Sequence, residues 1–283
     1  MSGPATVDFD EACRVLVARH DRERYLPGLF APADRRSAWF AVLAANHEIA
    51  KTAEVVSEPA IGHIRLQWWR ESLDGIEAGS PRRHEVVTPL AEAVGRGLLD
   101  LEALRAVIDA REIDLDPDPV ADLDALVAYA EGAGGSLHGA LARVLGADEG
   151  SARLVGTAWA LLGLVRALPV LIAHGRSPLP HSLLQKNNLS NQKITDKPGS
   201  VSLSPVVRPV IERAKIQMHQ ARDTPGFRAA NARPLRLLAD RAGDVVRTIE
   251  AVGCEPFDPR LAVIPPGLIW RHARRWLGYR LGL

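Results

Sequence analysis

Arginine is the side chain of this sequence best suited to hold an anion, because a planar guanidinium makes paired hydrogen bonds to phosphate or carboxylate oxygens. Arg166 stands within an almost wholly apolar segment, residues 154–173. An arginine buried among apolar side chains needs a buried partner, which is either a ligand or an acidic residue of the chain itself. Further candidates for an anion site are Arg65, Arg70 and Arg176.

Nucleophile and general-base residues show no catalytic arrangement. The histidines that could act as a base are His47, His63 and His138. No serine, cysteine or carboxylate stands at a spacing that would complete a triad with them. We therefore interpret them as core or surface residues, and we predict no catalytic residue.

Metal ligands are equally poorly arranged. Cys13 and Cys254 stand far apart with no CxxC pair, which describes neither a disulfide framework nor a zinc site and is typical of a reducing compartment. The aspartates between residues 114 and 124 lack the spacing, central glycine and closing glutamate of a calcium-binding loop. Their interpretation is a solvated loop that leads into a helix at Val120, and no metal or cofactor is predicted from these residues.

The composition is that of a soluble globular protein. The 283 residues are 47% apolar and 24% charged, and 35 basic against 34 acidic side chains leave a net charge of +1. This balance gives no ground for a nucleic-acid partner. The first eleven residues contain acidic side chains, no apolar stretch and no arginine, so neither a secretory signal nor a transit peptide is predicted. A cytoplasmic protein is expected.

Helical periodicity must position the candidate residues. Apolar side chains recur every three or four residues over 38–56, and a second helix begins near Ser57 and Pro59, with Ser57 as its cap, and stops at Gly79. Further helices are predicted at about 84–97, 100–112, 120–145, 149–175, 205–222, 229–251 and 266–280. Since alternating β-type runs are almost absent, the predicted fold class is all-α, as one domain over residues 1–283.

Two segments need separate interpretation. Residues 177–204 are polar, and a stretch of that length is typical of a lid, a binding loop or a partly disordered segment. Residues 154–173 are about long enough to span a bilayer, but Arg166 and Pro169 are unfavourable in a membrane. The segment is therefore interpreted as a buried core helix.

Three sequence blocks, in order, resemble the squalene/phytoene synthase family. The blocks are Arg35–Glu48 with Leu66–Leu73, Tyr129–Ser136, and Gly163–Arg166 with His174–Pro180. The resemblance covers residues 35–180, and the last hundred residues match only in being helical. It implies a single-domain, isoprenoid-synthase-like helical bundle around a central cavity.

The departures from that family concern its metal-binding acids. Members ionise a prenyl diphosphate, and Mg²⁺ held by carboxylates neutralises the leaving group. By the resemblance, the two acidic motifs fall at Ala50, Lys51 and Glu54, and at Ala167 and Leu171. No Asp or Glu occurs between residues 154 and 195. Magnesium-dependent ionisation is therefore predicted to be absent.

The remaining pattern resembles a non-catalytic branch of the family. That branch has Asn-x-Glu and Arg-Ala-Leu-Pro at the two motif positions, and this sequence has Asn46–Glu48 and Arg166–Pro169. Residues 61–69, IGHIRLQWW, also match the branch. Because the branch includes an assembly factor of respiratory complex I, the resemblance implies an inactive assembly or lipid-binding factor for a respiratory membrane complex.

Two other functions stay open. One is an active prenyl transferase that joins two prenyl diphosphates and needs Mg²⁺, and the other is an isoprenoid or quinone carrier. The resemblance places a candidate anion or prenyl cavity at Arg65, Arg70, Arg166, Arg176, Glu54, Trp69 and Tyr129. In a structural alternative the arginines pair with Glu48, Glu54 and Glu71, and the aromatic residues pack in the core.

The C-terminal run 269–281 is both basic and aromatic. It is predicted to form a helix that either lies on an anionic membrane surface or docks its apolar side on the body. The expected partners are a respiratory-complex subunit or assembly protein, a prenyl or phospholipid ligand, and the inner membrane as a peripheral contact.

Overall fold

The computed structural model describes residues 8–56, 58–115 and 120–282, and the backbone over these ranges is helical without a β-strand. The all-α fold class is thereby confirmed. The described residues form α1 (Phe9–His20), α2 (Arg22–Gly28), α3 (Arg36–Ala50), α4 (Thr52–Val55), α5 (Pro59–Glu77), α6 (Val87–Gly95), α7 (Glu102–Glu112), α8 (Leu123–Ala130), α9 (Ser136–Leu145), α10 (Glu149–Ala173), α11 (His181–Lys186), α12 (Asn191–Asp196), α13 (Ser204–Asp223), α14 (Arg233–Ala251) and α15 (Leu268–Leu281). The predicted cap at Ser57 and most of the predicted loop before Val120 lie outside the described residues.

The apolar core consists of two clusters. The first is built around α3, whose residues 38–46 are all buried, and includes side chains of α1, α5, α6, α7 and α9. The second is built around α10 and includes side chains of α8, α11, α12, α13 and α14. Both cysteines are free thiols buried in the core, Cys13 in the first cluster and Cys254 in the second.

In three places the helices of the structure differ from those predicted from the sequence. The stripe over 38–56 is divided at Lys51 into α3 and α4. The polar segment 177–204 contains two short helices, α11 and α12, because Leu184 and Ile194 are buried against the second cluster. The structure also has two helices, α1 and α2, for which no helix was predicted.

The predicted helix over 120–145 contains a widened turn. Between α8 and α9 the chain passes through a π-helical turn, Glu131–Gly135, that packs against α10. A β-carbon on Gly156 would lie 2.2 Å from the carbonyl oxygen of Gly134, and one on Gly134 would lie 2.5 Å from that of Gly156. The two backbones therefore touch at a distance that only glycine permits.

Helix α10 contacts most of the second half of the chain, including α8, α9, α13 and α14. It is the one helix within the described ranges that is long and apolar enough to cross a bilayer, with a mean hydropathy of 1.8 over an 18-residue window. Half of that window is buried against the neighbouring helices. An apolar helix surrounded in this way has the packing of a core element.

An early helix packs against the last two helices of the described chain. Helix α2 packs against α14, and α15 packs against both α14 and α2. This arrangement brings acidic and basic side chains of α2, α10 and α14 into one buried group.

Candidate functional site

The end of α3 carries a small polar group at the first predicted motif position. Lys51 forms an ion pair with Glu48, one turn earlier. The imidazole rings of His47 and His20 stack with their centroids 4.5 Å apart. Burial lowers the pKa of His47, and the neighbouring His20 lowers it further, so this ring is held neutral. Glu54 is exposed on α4.

The second predicted motif position lies on the half-buried face of α10. Ala167 and Leu171 are half-buried there. A β-carbon on Gly163, one turn before Ala167, would meet no atom within 4 Å, so this face of the helix borders open space. Among the residues that the structure describes, no three His, Cys, Asp or Glu side chains come together as metal ligands.

Arg166 has an internal acidic partner. Its Nη1 lies 2.8 Å from Oε2 of Glu23, and its Nε donates a 3.2 Å hydrogen bond to the carbonyl of Leu261. The other carboxylate oxygen of Glu23 accepts a 2.7 Å hydrogen bond from Nε of Arg241. Glu23 and Arg241 are both buried. One carboxylate thus holds two guanidinium groups, which leaves one net positive charge in the cluster.

This charge borders a pocket. A cavity of about 320 Å³ lies between α10, α14 and the chain before α15, and it is lined by Arg166, Arg241, Thr248, Arg260 and Val263 among others. The guanidinium of Arg260 is itself paired with Asp258 at 2.8 Å. The pocket can therefore accept a small anion only against the competition of the carboxylate that already binds its two inner arginines.

His272 of α15 is buried next to this cluster. It is fully inaccessible to solvent, and neither ring nitrogen has a hydrogen-bond partner among the described residues. Burial lowers its pKa to about 4, and the positive charges of Arg275 and Arg241 act in the same direction. The imidazole is consequently neutral at pH 7.

Tyr129 belongs to a second polar cluster. Its hydroxyl accepts a hydrogen bond from Nη1 of Arg111 and donates one of 2.9 Å to Oδ1 of Asp114. Arg111 also contacts the other carboxylate oxygen of Asp114 at 3.0 Å. Arg176 donates a 2.7 Å hydrogen bond to the backbone carbonyl of Asp114. Burial raises the pKa of Tyr129 far above its usual range, so the phenol stays protonated.

The remaining candidates lie on α5. Arg70 pairs with Asp109 and Glu112 of α7, at 2.7 and 3.0 Å, beside a shallow groove of about 430 Å³. The half-buried Arg65 has an Nε without a partner in the described part of the chain. Trp69 is buried and packs edge-on against Trp68, with ring centroids 5.2 Å apart.

The seven predicted site residues therefore fall into separate groups. Tyr129 and Arg176 come together, whereas Arg166 joins Glu23 and Arg70 joins the acids of α7. Their role in binding a ligand stays a prediction. The acidic partners differ from the predicted ones, because Glu48 binds Lys51 and Glu71 binds Arg82.

Sequence reasoning missed the residues that complete these clusters. They are Glu23, Arg111, Asp114 and Arg241. Arg241 could have been found from the sequence. It falls between Leu238 and Val245 on the apolar face of α14, and a charge on such a face requires a buried partner.

Comparison with known sequences places this architecture in a family. The sequence profile described as "Squalene/phytoene synthase" matches residues 17–267. The chain belongs to the squalene/phytoene synthase family. Within that family, bovine (Bos taurus) NADH dehydrogenase (ubiquinone) complex I, assembly factor 6, is 30% identical over 265 residues, which covers 92% of this chain and 79% of the relative.

Solved structures of the family share the fold. A dehydrosqualene synthase in complex with a ligand superposes with a TM-score of 0.81 at 12% identity, covering 97% of each chain. The squalene synthase HpnC from Alicyclobacillus acidocaldarius superposes with a TM-score of 0.74 at 19% identity, covering 88% of this chain and 95% of that one. At these identities the likeness establishes the fold alone.

The donor set at the predicted motif positions does not fit Mg²⁺. This ion prefers carboxylate oxygens in an octahedral arrangement. Of the five residues at those positions, two on α10 and one on α3 are apolar, Lys51 is a cation, and Glu54 alone offers a carboxylate. No catalytic step through a metal is therefore derived for this chain.

Proposed function

We propose that this protein is a non-catalytic member of the squalene/phytoene synthase family that assists the assembly of a respiratory NADH dehydrogenase complex. The observation that carries the proposal is the 30% identity to bovine complex I assembly factor 6 over 92% of the chain. A relationship along nearly the whole length favours a shared role of the whole domain over a shared motif.

The charge pattern supports the absence of catalysis. Ionising a prenyl diphosphate creates several negative charges on the leaving group, and divalent cations must balance them. Lys51 supplies one positive charge, but Glu48 already neutralises it. Arg166 and Arg241 are both bound by Glu23, so the chain itself supplies an anion to the two guanidinium groups that border the pocket.

A gene deletion tests the assembly role. Cells of the source organism that lack the gene should show less assembled NADH dehydrogenase complex on native gels and less membrane NADH:quinone oxidoreductase activity. The wild-type gene should restore both. A variant with Glu54→Gln should restore them equally, because the one remaining carboxylate is not expected to serve catalysis. Unchanged complex levels in the deletion strain would refute the assembly role.

A second assay addresses catalysis directly. Purified protein should release no diphosphate from farnesyl or geranylgeranyl diphosphate in the presence of Mg²⁺, with an active squalene synthase as the positive control. Turnover that disappears in the Glu54→Gln variant would identify the chain as a prenyl transferase. Isoprenoid that copurifies without turnover would instead favour the carrier function.

A further inference from the structure

Helix α15 is held on the protein by one face. Leu268 and His272 are buried, and the ring of Trp276 packs against Phe30 of the segment after α2, with centroids 5.4 Å apart. Arg275 binds Asp244 of α14 at 3.0 Å. These contacts account for the position of the helix without any contribution from its opposite face.

The opposite face exposes large apolar side chains. Trp270 is 77% exposed, Leu277 is 56% exposed and Leu281 is 64% exposed. At 3.6 residues per turn, these three side chains project within about 40° of one another around the helix axis. They form one apolar stripe, here called the outer stripe, along the solvent side of α15.

Arginines border the outer stripe on both sides. Arg271 and Arg280 lie on its two flanks by helical periodicity, and Arg274 lies at its edge, about 20° beyond Leu281. All three are exposed, and none forms an ion pair with a described residue. From residue 259 to the last residue the sequence contains no Asp or Glu. Helix α15 and the nine residues before it therefore contribute no negatively charged side chain to this surface.

The chain that leads into α15 carries two further exposed apolar side chains. Val263 is 59% exposed and Ile264 is 36% exposed, and they stand five and four residues before the first residue of the helix. Isolated apolar side chains are common on protein surfaces, whereas five of them within 19 consecutive residues form a concentration.

We propose that the outer face of α15 is a docking surface for an anionic lipid bilayer. A helix with this pattern lies in the plane of the interface, with tryptophan and leucine at the level of the headgroups and arginines directed at lipid phosphates. This inference goes beyond the proposed assembly function and does not rest on it.

The charge pattern selects a lipid surface over other occupants. A second copy of this chain would bring its own arginines against these arginines, which is repulsive in a symmetric contact. An anionic bilayer instead complements every charge on the face, and each arginine near such a surface raises the partition coefficient about fivefold. Three arginines then favour anionic over neutral vesicles by about two orders of magnitude.

Vesicle sedimentation with the purified full chain tests the proposal. The protein should sediment with vesicles of phosphatidylcholine mixed with phosphatidylglycerol and remain in solution with phosphatidylcholine alone. Replacing the three arginines (R271Q, R274Q and R280Q) should lower binding about 100-fold. Replacing Trp270 and Leu277 with serine should also abolish sedimentation, while circular dichroism stays unchanged because neither side chain is buried.

Matched controls carry the same changes elsewhere on the surface. The variant R19Q, R83Q and R208Q removes three exposed arginines outside α15, and the variant Val15→Ser with Ile216→Ser removes two exposed apolar side chains. Both should bind vesicles like the wild type. Equal loss in the controls, or no binding of the wild type to anionic vesicles, would overturn the proposal. Light scattering gives a further check. If the variant with Trp270 and Leu277 replaced has a smaller molar mass than the wild type, the face is a contact between copies of this chain and the proposal is overturned.

Discussion

The carboxylate of Glu23, on α2, lies 2.8 Å from the guanidinium of Arg166 on α10, the one helix within the described ranges that is long and apolar enough to cross a bilayer. The pair explains how an arginine is tolerated in α10, since the same carboxylate also binds Arg241 and no charge of the cluster lacks a partner within reach. It also means that Arg166, which was predicted to hold a ligand, already has an anion.

Removing that carboxylate should destabilise the protein strongly. Glu23→Ala leaves Arg166 and Arg241 without their shared partner, and breaking a buried ion pair costs about 3 kcal/mol in the free energy of unfolding. Glu11→Ala is the matched control, because it breaks an exposed pair with Arg14 and should cost less than about 1 kcal/mol. Urea denaturation at pH 7 measures both. An equal decrease in the free energy of unfolding for the two variants would show that the buried cluster stabilises the protein no more than an exposed ion pair does.

The contact between the π-helical turn and α10 predicts a position-specific effect of alanine. Gly156→Ala forces a methyl group against the carbonyl of Gly134 and should destabilise by about 2–3 kcal/mol. Gly163→Ala, two turns further along the same helix, meets no atom and should stabilise by about 0.5–1 kcal/mol because alanine favours helix. Thermal unfolding of the two variants should therefore shift in opposite directions. A shift in the same direction would be incompatible with the described packing.

Buried histidines predict acid sensitivity. In the folded protein the pKa of His272 is about 4 and that of His138 about 3, both lowered mainly by burial from 6.5. The unfolded chain takes up protons as the pH falls below about 6.5, whereas the folded one does not until about pH 4. Their stabilising contribution is thus fully present above pH 6.5 and is lost as the pH falls towards 4, at up to about 1.4 kcal/mol per pH unit for each histidine.

The variant His272→Leu tests that dependence. It removes one of the two titrating groups and two unpartnered nitrogens, so it should flatten the slope of unfolding free energy between pH 6.5 and 4 and leave stability at pH 7 equal or higher. His219→Gln, at an exposed position on α13, should leave the slope unchanged. An unaltered slope in His272→Leu would contradict the assignment of the effect to this residue.

The hydroxyl of Tyr129 should contribute to stability. Tyr129→Phe removes a group that accepts from Arg111 and donates to Asp114, and leaving these buried partners incomplete costs about 1–3 kcal/mol. Tyr25→Phe removes a hydroxyl that, among the described residues, accepts a hydrogen bond from Arg14 alone in a more exposed place, and it should cost less than about 1 kcal/mol. Chemical denaturation compares them. If Tyr129→Phe is as stable as the wild type, the cluster has a role other than structural support.

Much of the fold was predictable because it is local. The apolar stripe of α3, the proline at the first turn of α5 and the glycine after it are signals within a few residues of one another. Helix α1 was not predicted, although its sequence contains signals of the same local kind. Asp8 caps the helix by accepting a hydrogen bond from the amide of Glu11, and Cys13 and Val17 lie four residues apart on its buried face.

The candidate site was less predictable because its contacts are not local. A guanidinium on an apolar helix indicates that a partner exists, but nothing in periodicity says that the partner of Arg166 is Glu23, 143 positions earlier. The division of the seven site residues into groups has the same cause. A family resemblance predicts which positions surround a cavity, whereas side-chain pairing here depends on residues outside the resembling blocks, such as Glu23 and Arg241.

The pair of Glu23 and Arg241 spans 218 residues and so sets an order of events during synthesis. Helix α2 leaves the ribosome long before α14 exists; it can pack against α1 and α3, but the carboxylate of Glu23 lacks Arg241 until α14 follows. Contacts of such sequence separation form late in folding. In a nascent chain of this protein the carboxylate of Glu23 therefore waits for Arg241 until α14 is translated, so this buried group is among the last parts of the fold to be completed.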